Sequence, residues 1–471
     1  MHKKSLRIAG AAAGLLFLSF GVFCGTRALS FKKTQNASAL SVEQAFELNQ
    51  LLLKDYSSQY QTLKKLPYNI GQPQLDVWAK SAILIDVSNG SILYEKNADE
   101  IIPPASMTKL FAMYVVEEEI AAGRFSYDQV IPLPPESWAC NMPPHSSLMF
   151  LGQGQKVTME ELLLGLSICS GNDAAYALAY TVSGTMEAFV ERMNLVAQDL
   201  GLEHTYFVES SGYSEKNKTT AREMAEFAAI YLRRHPDSLH RFHSVLDFTY
   251  PKTKNLAAGD KPHAQDFSQG LPQRITMPIT QQNTNPLLGK LAGCDGLKTG
   301  YIDESGYNLS LTAVRGQTRF LSVTMGGPGN NSKEGQAGRV HDGTELMEWA
   351  FKNFADYSLE LKVHPYLVRS FNASEKMIRL VPAFTDKTFT IPYVSGNTME
   401  ENLDSVRVEV LLPDYCWGKV EQGSVQGKIQ ISAGDYLLQE IPLVADRSLK
   451  SAHFLSTLSD LILCKVFMMA R

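Results

Sequence analysis

A change of texture near Tyr357 constrains the fold of this chain more than any other feature. Beyond it, apolar residues alternate with polar ones in short runs: Leu359, Leu361 and Val363, then Val406, Val408 and Val410, then Ile429 and Ile431. Alternation of this kind, broken by Gly, Pro, Asn and Asp, predicts a small all-β domain, a sandwich, over residues 356–445. Before it, strand-like and helical patterns mix. Ala82–Val87 and Ser91–Tyr94 flank Asn89-Gly90 and read as a hairpin with a tight turn. From Pro103 the pattern becomes helical through SMTKLFAMYVVEEEI, and again in MEELLLGLSI and NDAAYALAYTV. Strand-like runs return at YNLSLTAVR and TRFLSVTMGG, and HDGTELMEWAFKNF reads as a closing helix. The mixture predicts an α+β unit over 79–354. Lys252–Gln273 is polar and aperiodic, which predicts a long exposed loop.

A length of 471 residues exceeds what a single core holds, in keeping with several folded units. With 44 Lys+Arg against 49 Asp+Glu the net charge is −5, which leaves no basic footprint for nucleic acid. Six cysteines without a CxxC pair disfavour a zinc ribbon or a thioredoxin-like site. No metal-ligand cluster stands out, so neither metal nor cofactor is expected.

The two ends predict a chain carried outside the cytoplasm. His2-Lys3-Lys4 and Arg7 precede an uncharged run from Ile8 to Gly25, the pattern of an export signal or a retained N-terminal anchor over 1–28. An extension follows over 29–78, with a moderately amphipathic helix expected at about 36–66. Over 447–471, Phe454, Leu455, Leu458, Leu461, Ile462, Val466 and Met469 recur at three- and four-residue steps. Such a helix is expected to lie on a membrane surface. The expected location is the outer, periplasmic face of the cytoplasmic membrane.

Three short motifs carry chemistry: Ser106-Met107-Thr108-Lys109, Ser170-Gly171-Asn172 and Lys298-Thr299-Gly300. Taken singly, each has a plain structural reading, with Ser106 and Ser170 as helix caps and Lys109 as a solvated helix residue. Ser30–Lys33 and Ser395–Asn397 repeat the first two patterns elsewhere. Context separates the sets. Ser106 opens a helical run, so Lys109 lies one turn on, on the same face. A serine hydroxyl needs a base in reach to become a nucleophile. A lysine serves when burial and neighbouring cations lower its pKa, and Lys298 would be such a neighbour.

The three motifs in this order resemble those of the low-molecular-mass penicillin-binding proteins that act as D-alanyl-D-alanine carboxypeptidases, a set shared with class A β-lactamases. ILIDVSNGSILYEKNADEIIPPASMTKL, ESWACNMPPHSSLMFL, SGNDAAYALA, DGLKTGYIDESGYNL and GKVEQGSVQGKIQ are similar too, so the resemblance spans residues 79–471. It implies a β-lactamase/transpeptidase-like catalytic domain, an antiparallel sheet flanked by helices. It implies that Ser106 forms an acyl-enzyme, Lys109 takes its proton, Ser170 and Lys298 relay a proton to the leaving amine, and Asn172 holds the substrate amide. Lys298, Thr299 and Gly300 would form an edge on which the peptide lies as an added strand. The amides of Ser106 and Tyr301 would hold the oxyanion. Arg339, ten residues before Trp349, would meet the terminal carboxylate together with Lys298 and Thr299. The implied partners are peptidoglycan stem peptides, β-lactam antibiotics and a membrane surface.

The chain departs from the family pattern at Tyr301, where relatives carry His, and in PGNNSKEGQAG, which reads as an insertion. Cys169 and Cys294, close to the motifs, read as apolar fillers. Competing readings are a D,D-endopeptidase, a β-lactamase, for which no E-x-x-L-N motif lies between Ser170 and Lys298, and a penicilloyl sensor that acylates once.

Overall fold

The computed structural model describes residues 63–66, 68–69, 73–358, 366–383, 388–392, 406–434 and 436–469. The expected export segment, most of the extension and the second S-x-x-K and S-G-N sequences lie outside these residues. The end of the helix expected over 36–66 is a strand instead. Lys64–Lys65 (β1) runs parallel to Ser91 and Ile92, with Leu63 and Leu66 packed against the cores on either side of the sheet.

The described residues form two compact units. The larger is built on a six-stranded sheet. Its remaining strands are β2 (Ser81–Asp86), β3 (Ser91–Lys96), β4 (Cys294–Ile302), β5 (Gly306–Arg315) and β6 (Thr318–Gly327), in the order β1-β3-β2-β6-β5-β4. From β3 to β4 all pairings are antiparallel. Every residue of β2 is buried because both faces are covered. Ile83 and Ile85 face one core, and Ala82 and Leu84 the other.

The first core is filled by α1 (Thr108–Ala121), α2 (Met159–Ser167), α3 (Asn172–Ser183), α4 (Met186–Asp199) and α5 (Ala221–Arg234). Helix α1 is central: Thr108 to Glu117 are all buried, so its apolar residues encircle it rather than forming a stripe. A capping box starts α2, with Thr158 Oγ1 accepting from Glu161 N at 3.2 Å and Glu161 Oε2 accepting from Thr158 N at 3.1 Å. The second core lies under α6 (Ser332–Asn353), through Leu346, Met347 and Ala350. Asn331 caps α6, accepting from Glu334 N at 3.0 Å, so most of the PGNNSKEGQAG stretch is the first turns of the closing helix rather than an inserted loop. Lys252–Gln273 is a loop with one short turn at Thr253–Asn255, tied to the body where Asn255 donates to Glu161 and Gln153 to Gln273 O.

Two segments falling mostly within the expected C-terminal domain are strands of this unit instead. Phe354–Ser358 pairs antiparallel with Thr388–Pro392, whose Thr390 donates to Asp86 while its carbonyl accepts from Tyr68 at 2.9 Å.

The smaller unit carries a six-stranded sheet in the order Val406–Leu411, Val425–Ala433, Tyr436–Ala445, Met377–Pro382, Tyr366–Phe371, Cys416–Trp417. Ile429 and Ile431 point into its core, as their alternation predicts. Val406–Leu411 alternates in sequence but is an edge strand, and Val408 and Val410 remain 40% and 39% exposed. The final helix, Phe454–Met469, buries Leu463 and Cys464 against Phe371, and Asp460 accepts from Asn372 N at 2.9 Å. Its other face leaves Leu458, Leu461, Ile462, Val466 and Met469 exposed. Among the described residues no helix is long and apolar enough to cross a membrane.

Candidate active site

Ser106 sits in a single 3-10 turn, Ala105–Met107, that runs directly into α1. Lys109, on the first turn of α1, is completely buried beneath it. Its Nζ lies 3.0 Å from Ser106 Oγ, 2.8 Å from Asn172 Oδ1 and within hydrogen-bond reach of the Ser211 carbonyl. A neutral amine has two N–H donors and one lone pair. It satisfies the two carbonyl-type oxygens as donor and has its lone pair left for the Ser106 hydroxyl proton.

Burial lowers the pKa of Lys109 to about 7, against the opposing fields of Glu209 and Asp173. The cation effect expected from Lys298 runs the other way. Lys298 is held well below the ordinary lysine value by burial first, then by Lys109 and Arg339. Lys109 therefore owes its depressed pKa to desolvation.

The second motif lies on the turn between α2 and α3. Ser170 adopts φ 56°, a left-handed conformation rare outside glycine and common at functional sites. Its hydroxyl thereby meets Lys298 Nζ at 3.0 Å. Asn172, first in α3, donates to Ser146 Oγ at 3.1 Å while accepting from Lys109.

Lys298, Thr299 and Gly300 lie on β4, the edge strand of the sheet. Gly300 has a reason other than the expected approach of a ligand. A Cβ there would meet the Pro104 carbonyl at 2.5 Å and Ser106 N at 3.2 Å, so the bare backbone lets the strand press against the turn that carries Ser106. Gly212 is constrained in the same way, since a Cβ there would fall 1.8 Å from the Ala105 carbonyl oxygen.

Arg339 lies within α6, not ahead of it, and is 6% exposed. It donates to the Asn308 carbonyl at 3.0 Å and to the Gly300 carbonyl, above the Tyr307 ring. It pairs with no carboxylate among the described residues, and burial lowers its pKa to about 10. Tyr301 is exposed, stacked on Tyr307 at 4.3 Å, and donates to Asp303 at 2.6 Å, which with slight burial pushes its pKa up to about 12. A cavity of about 570 Å³ opens at Ser106, bordered by Ser147, Asn172, Gly212, Tyr213 and Tyr301.

Two acids that hold the site together escape sequence reasoning. Asp173, completely buried, accepts from the amides of Met149, Leu151 and Ala174, fixing the 146–151 segment beside Asn172. Burial raises its pKa to about 6, with those amides opposing. Glu209 accepts from Ser211 N, Gly212 N and Asn217 Nδ2, shaping the loop whose Ser211 carbonyl meets Lys109. The only signal for Asp173 was its place beside Asn172; Glu209 had none. The five described cysteines are free, and burial pushes the Cys169 and Cys294 thiols up to about 12 and 11, which makes them poor nucleophiles.

A serine on a helix-entering turn, a buried lysine as its partner, and a second serine–lysine pair nearby are the arrangement of a serine hydrolase. Residues 69–329 match the family described as D-alanyl-D-alanine carboxypeptidase, and the chain belongs to that family. It is 28% identical over 382 residues to the carboxypeptidase DacF of Bacillus subtilis, covering 81% of this chain and 88% of the relative. To DacA of Escherichia coli it is 29% identical over 402 residues, covering 83% and 88%. Penicillin binding protein 5 of Haemophilus influenzae has a similar structure, with a TM-score of 0.65 and 29% identity, over 81% of this chain and all of that one.

Proposed function

We propose that the chain removes the terminal D-alanine from peptidoglycan stem peptides through an acyl-enzyme on Ser106. Lys109 Nζ takes the Ser106 proton as Oγ attacks the carbonyl between the last two D-alanines. The amides of Ser106 and Tyr301 hold the resulting oxyanion. The C–N bond then breaks, and the departing amine takes a proton relayed through Ser170 and Lys298. Water, activated by the same lysine–serine machinery, hydrolyses the ester and restores Ser106. Asn172 holds the substrate amide, and Thr299 and the β4 edge align the peptide as an added strand. Arg339, a buried cation with no carboxylate partner among the described residues, favours an anion nearby, which is what a free peptide terminus supplies.

A β-lactam acylates Ser106 by the same attack, with its leaving group still tethered. The observation that carries the reading is the buried Lys109, held between Ser106, Asn172 and Ser211.

The parts of the chain fit that task as an export segment or anchor over 1–28, an extension over 29–78 whose Lys64–Lys65 strand joins the catalytic sheet, a catalytic domain over 79–354 completed by the Phe354–Ser358 and Thr388–Pro392 strand pair, an all-β domain and a terminal helix. The exposed apolar face of the terminal helix supports attachment to the outer face of the cytoplasmic membrane.

The test follows a fluorescent penicillin on the full chain, together with D-alanine released from a pentapeptide. Labelling and release are both expected, and both are lost in Ser106→Ala. Labelling without D-alanine release would replace the hydrolase by a sensor, and no labelling would remove Ser106 as nucleophile.

A further inference from the structure

A buried hydrogen-bonded chain links α1 to the strand that carries Lys298 without entering the cavity. Glu117, on α1, is 2% exposed. Its carboxylate accepts from the Tyr231 hydroxyl on α5 at 2.7 Å and from Ser238. Tyr231 Oη also lies 2.9 Å from His243 Nε2. The other ring nitrogen, Nδ1, lies 3.3 Å from the Leu297 carbonyl and 3.2 Å from Ser167 Oγ. Leu297 directly precedes Lys298. Tyr231 and His243 are both fully buried, and His243 ends a π-helical turn, Leu239–His243. Such turns occur often at functional sites.

Counting protons along this chain leaves two arrangements. Tyr231 has one hydroxyl proton, and a neutral imidazole has one N–H. Burial lowers the pKa of His243 to about 4, so its ring is neutral at working pH. With Glu117 protonated, its O–H donates to Tyr231, Tyr231 donates to Nε2, and Nδ1–H faces the Leu297 carbonyl. With Glu117 ionised, Tyr231 donates to the carboxylate and Nε2–H donates to Tyr231. Nδ1 is then bare: it takes the Ser167 hydroxyl and meets the Leu297 carbonyl lone pair to lone pair.

We propose that Glu117, acting through Tyr231 and His243, is a positioning residue for Lys298: protonated, it secures the Leu297 carbonyl, and ionised, it releases it. The inference rests on the reading of Lys298 as part of the catalytic site. The groups bearing on Glu117 place its titration in the neutral range. Burial pushes its pKa up to about 7, opposed by hydrogen bonds from Ser238 and Tyr231 and by the Arg241 charge, and assisted by Glu118 on its own helix. Arg241 comes from the π-helical turn, pairs with Glu160 and lies over Tyr127 on the loop after α1.

This device lowers activity as pH rises, the opposite of Lys109 deprotonation. The experiment measures penicillin acylation by the full chain from pH 5 to 9 and the ¹⁵N shifts of the His243 ring. Glu117→Gln fixes the protonated arrangement, because its amide N–H donates to Tyr231 and its oxygen accepts from Ser238. In the wild type the tautomer should pass from Nδ1–H to Nε2–H through neutrality, with a fall in acylation on the alkaline side of about 2- to 10-fold, the worth of one hydrogen bond. Glu117→Gln should stay Nδ1–H throughout and lose that fall, leaving the acid limb unchanged. A single wild-type tautomer across the range, or an alkaline fall retained in Glu117→Gln, would overturn the proposal. The tautomer is read without turnover, so an inactive protein with the expected switch would count against the catalytic reading alone.

Discussion

Lys298 Nζ and Ser170 Oγ lie 3.0 Å apart although the two residues are 128 positions distant in the chain. The contact joins the edge strand to the turn before α3, and the left-handed backbone of Ser170 aims the hydroxyl at it. With Lys109 on Ser106 and Lys298 on Ser170, each serine faces its own buried amine.

In the proposed mechanism this pairing separates two proton transfers. Ser170→Ala removes the relay to the leaving amine and leaves Ser106 and Lys109 in place. D-alanine release should fall by about 10²- to 10⁴-fold, the range for general acid catalysis. Far-ultraviolet circular dichroism should remain that of the wild type. A fall of less than threefold in a pentapeptide assay would take Ser170 out of the relay.

In the proposed mechanism Lys109 sets the acid limb of activity, and its burial shapes part of the stability profile. Acylation requires its neutral form, so the rate should drop about tenfold per pH unit below about 7. Its folded value lies below the ordinary 10.5. Between about 7 and 10.5 the unfolded chain therefore holds a proton that the folded chain has released, and this lysine's contribution to stability rises with pH. Below about 7 the full cost of burying it is present. Lys109→Met should abolish labelling and flatten the rise in thermal midpoint between pH 7 and 9. An equal rise in both proteins would contradict a depressed lysine.

What the sequence revealed and what it hid divide along a physical line. The 82–94 hairpin, α1 with Ser106 and Lys109 on one face, and Lys298 in a strand were legible because neighbouring residues determine them. The α4 and α5 helices went unread, although Thr185 and Thr220 cap them and accept from Ala188 N and Glu223 N. Glu209 and Asp173 were invisible because an acid accepting backbone amides has no local pattern. The pairing of Phe354–Ser358 with Thr388–Pro392 joins residues 30 to 38 positions apart, and alternation alone could not say which unit they would join. Alternation marked Val408 and Val410 as strand residues, as they are, but period two does not say whether a partner layer covers them, and both stay exposed.

The contact between Gly300 and the Pro104–Ser106 turn predicts a loss of function through backbone displacement. In Gly300→Ala the new methyl would sit 2.5 Å from the Pro104 carbonyl and must move either β4 or the nucleophile. Overpacking of this kind costs about 1–3 kcal/mol. Penicillin labelling should fall at least tenfold, with a denaturant midpoint shifted downward at unchanged slope. Wild-type labelling together with wild-type stability would show that the strand moves freely at that point.

The terminal helix divides its apolar residues between a packed face and an exposed one, and a substitution on the exposed face tests the proposed membrane attachment without touching the packing. Leu463 and Cys464 are buried against Phe371, whereas Leu461 and Val466 are 46% and 49% exposed. An aspartate at either position costs the fold little, since about half of each side chain already faces solvent. At a bilayer surface the same change removes buried apolar area at about 25 cal/mol per Å² and adds a charge that resists desolvation. Leu461→Asp combined with Val466→Asp should therefore leave thermal stability and D-alanine release from a soluble pentapeptide unchanged. Sedimentation with phosphatidylglycerol-containing vesicles should fall from most of the protein to a minor fraction. Vesicle binding equal to that of the wild type would move the attachment elsewhere in the chain.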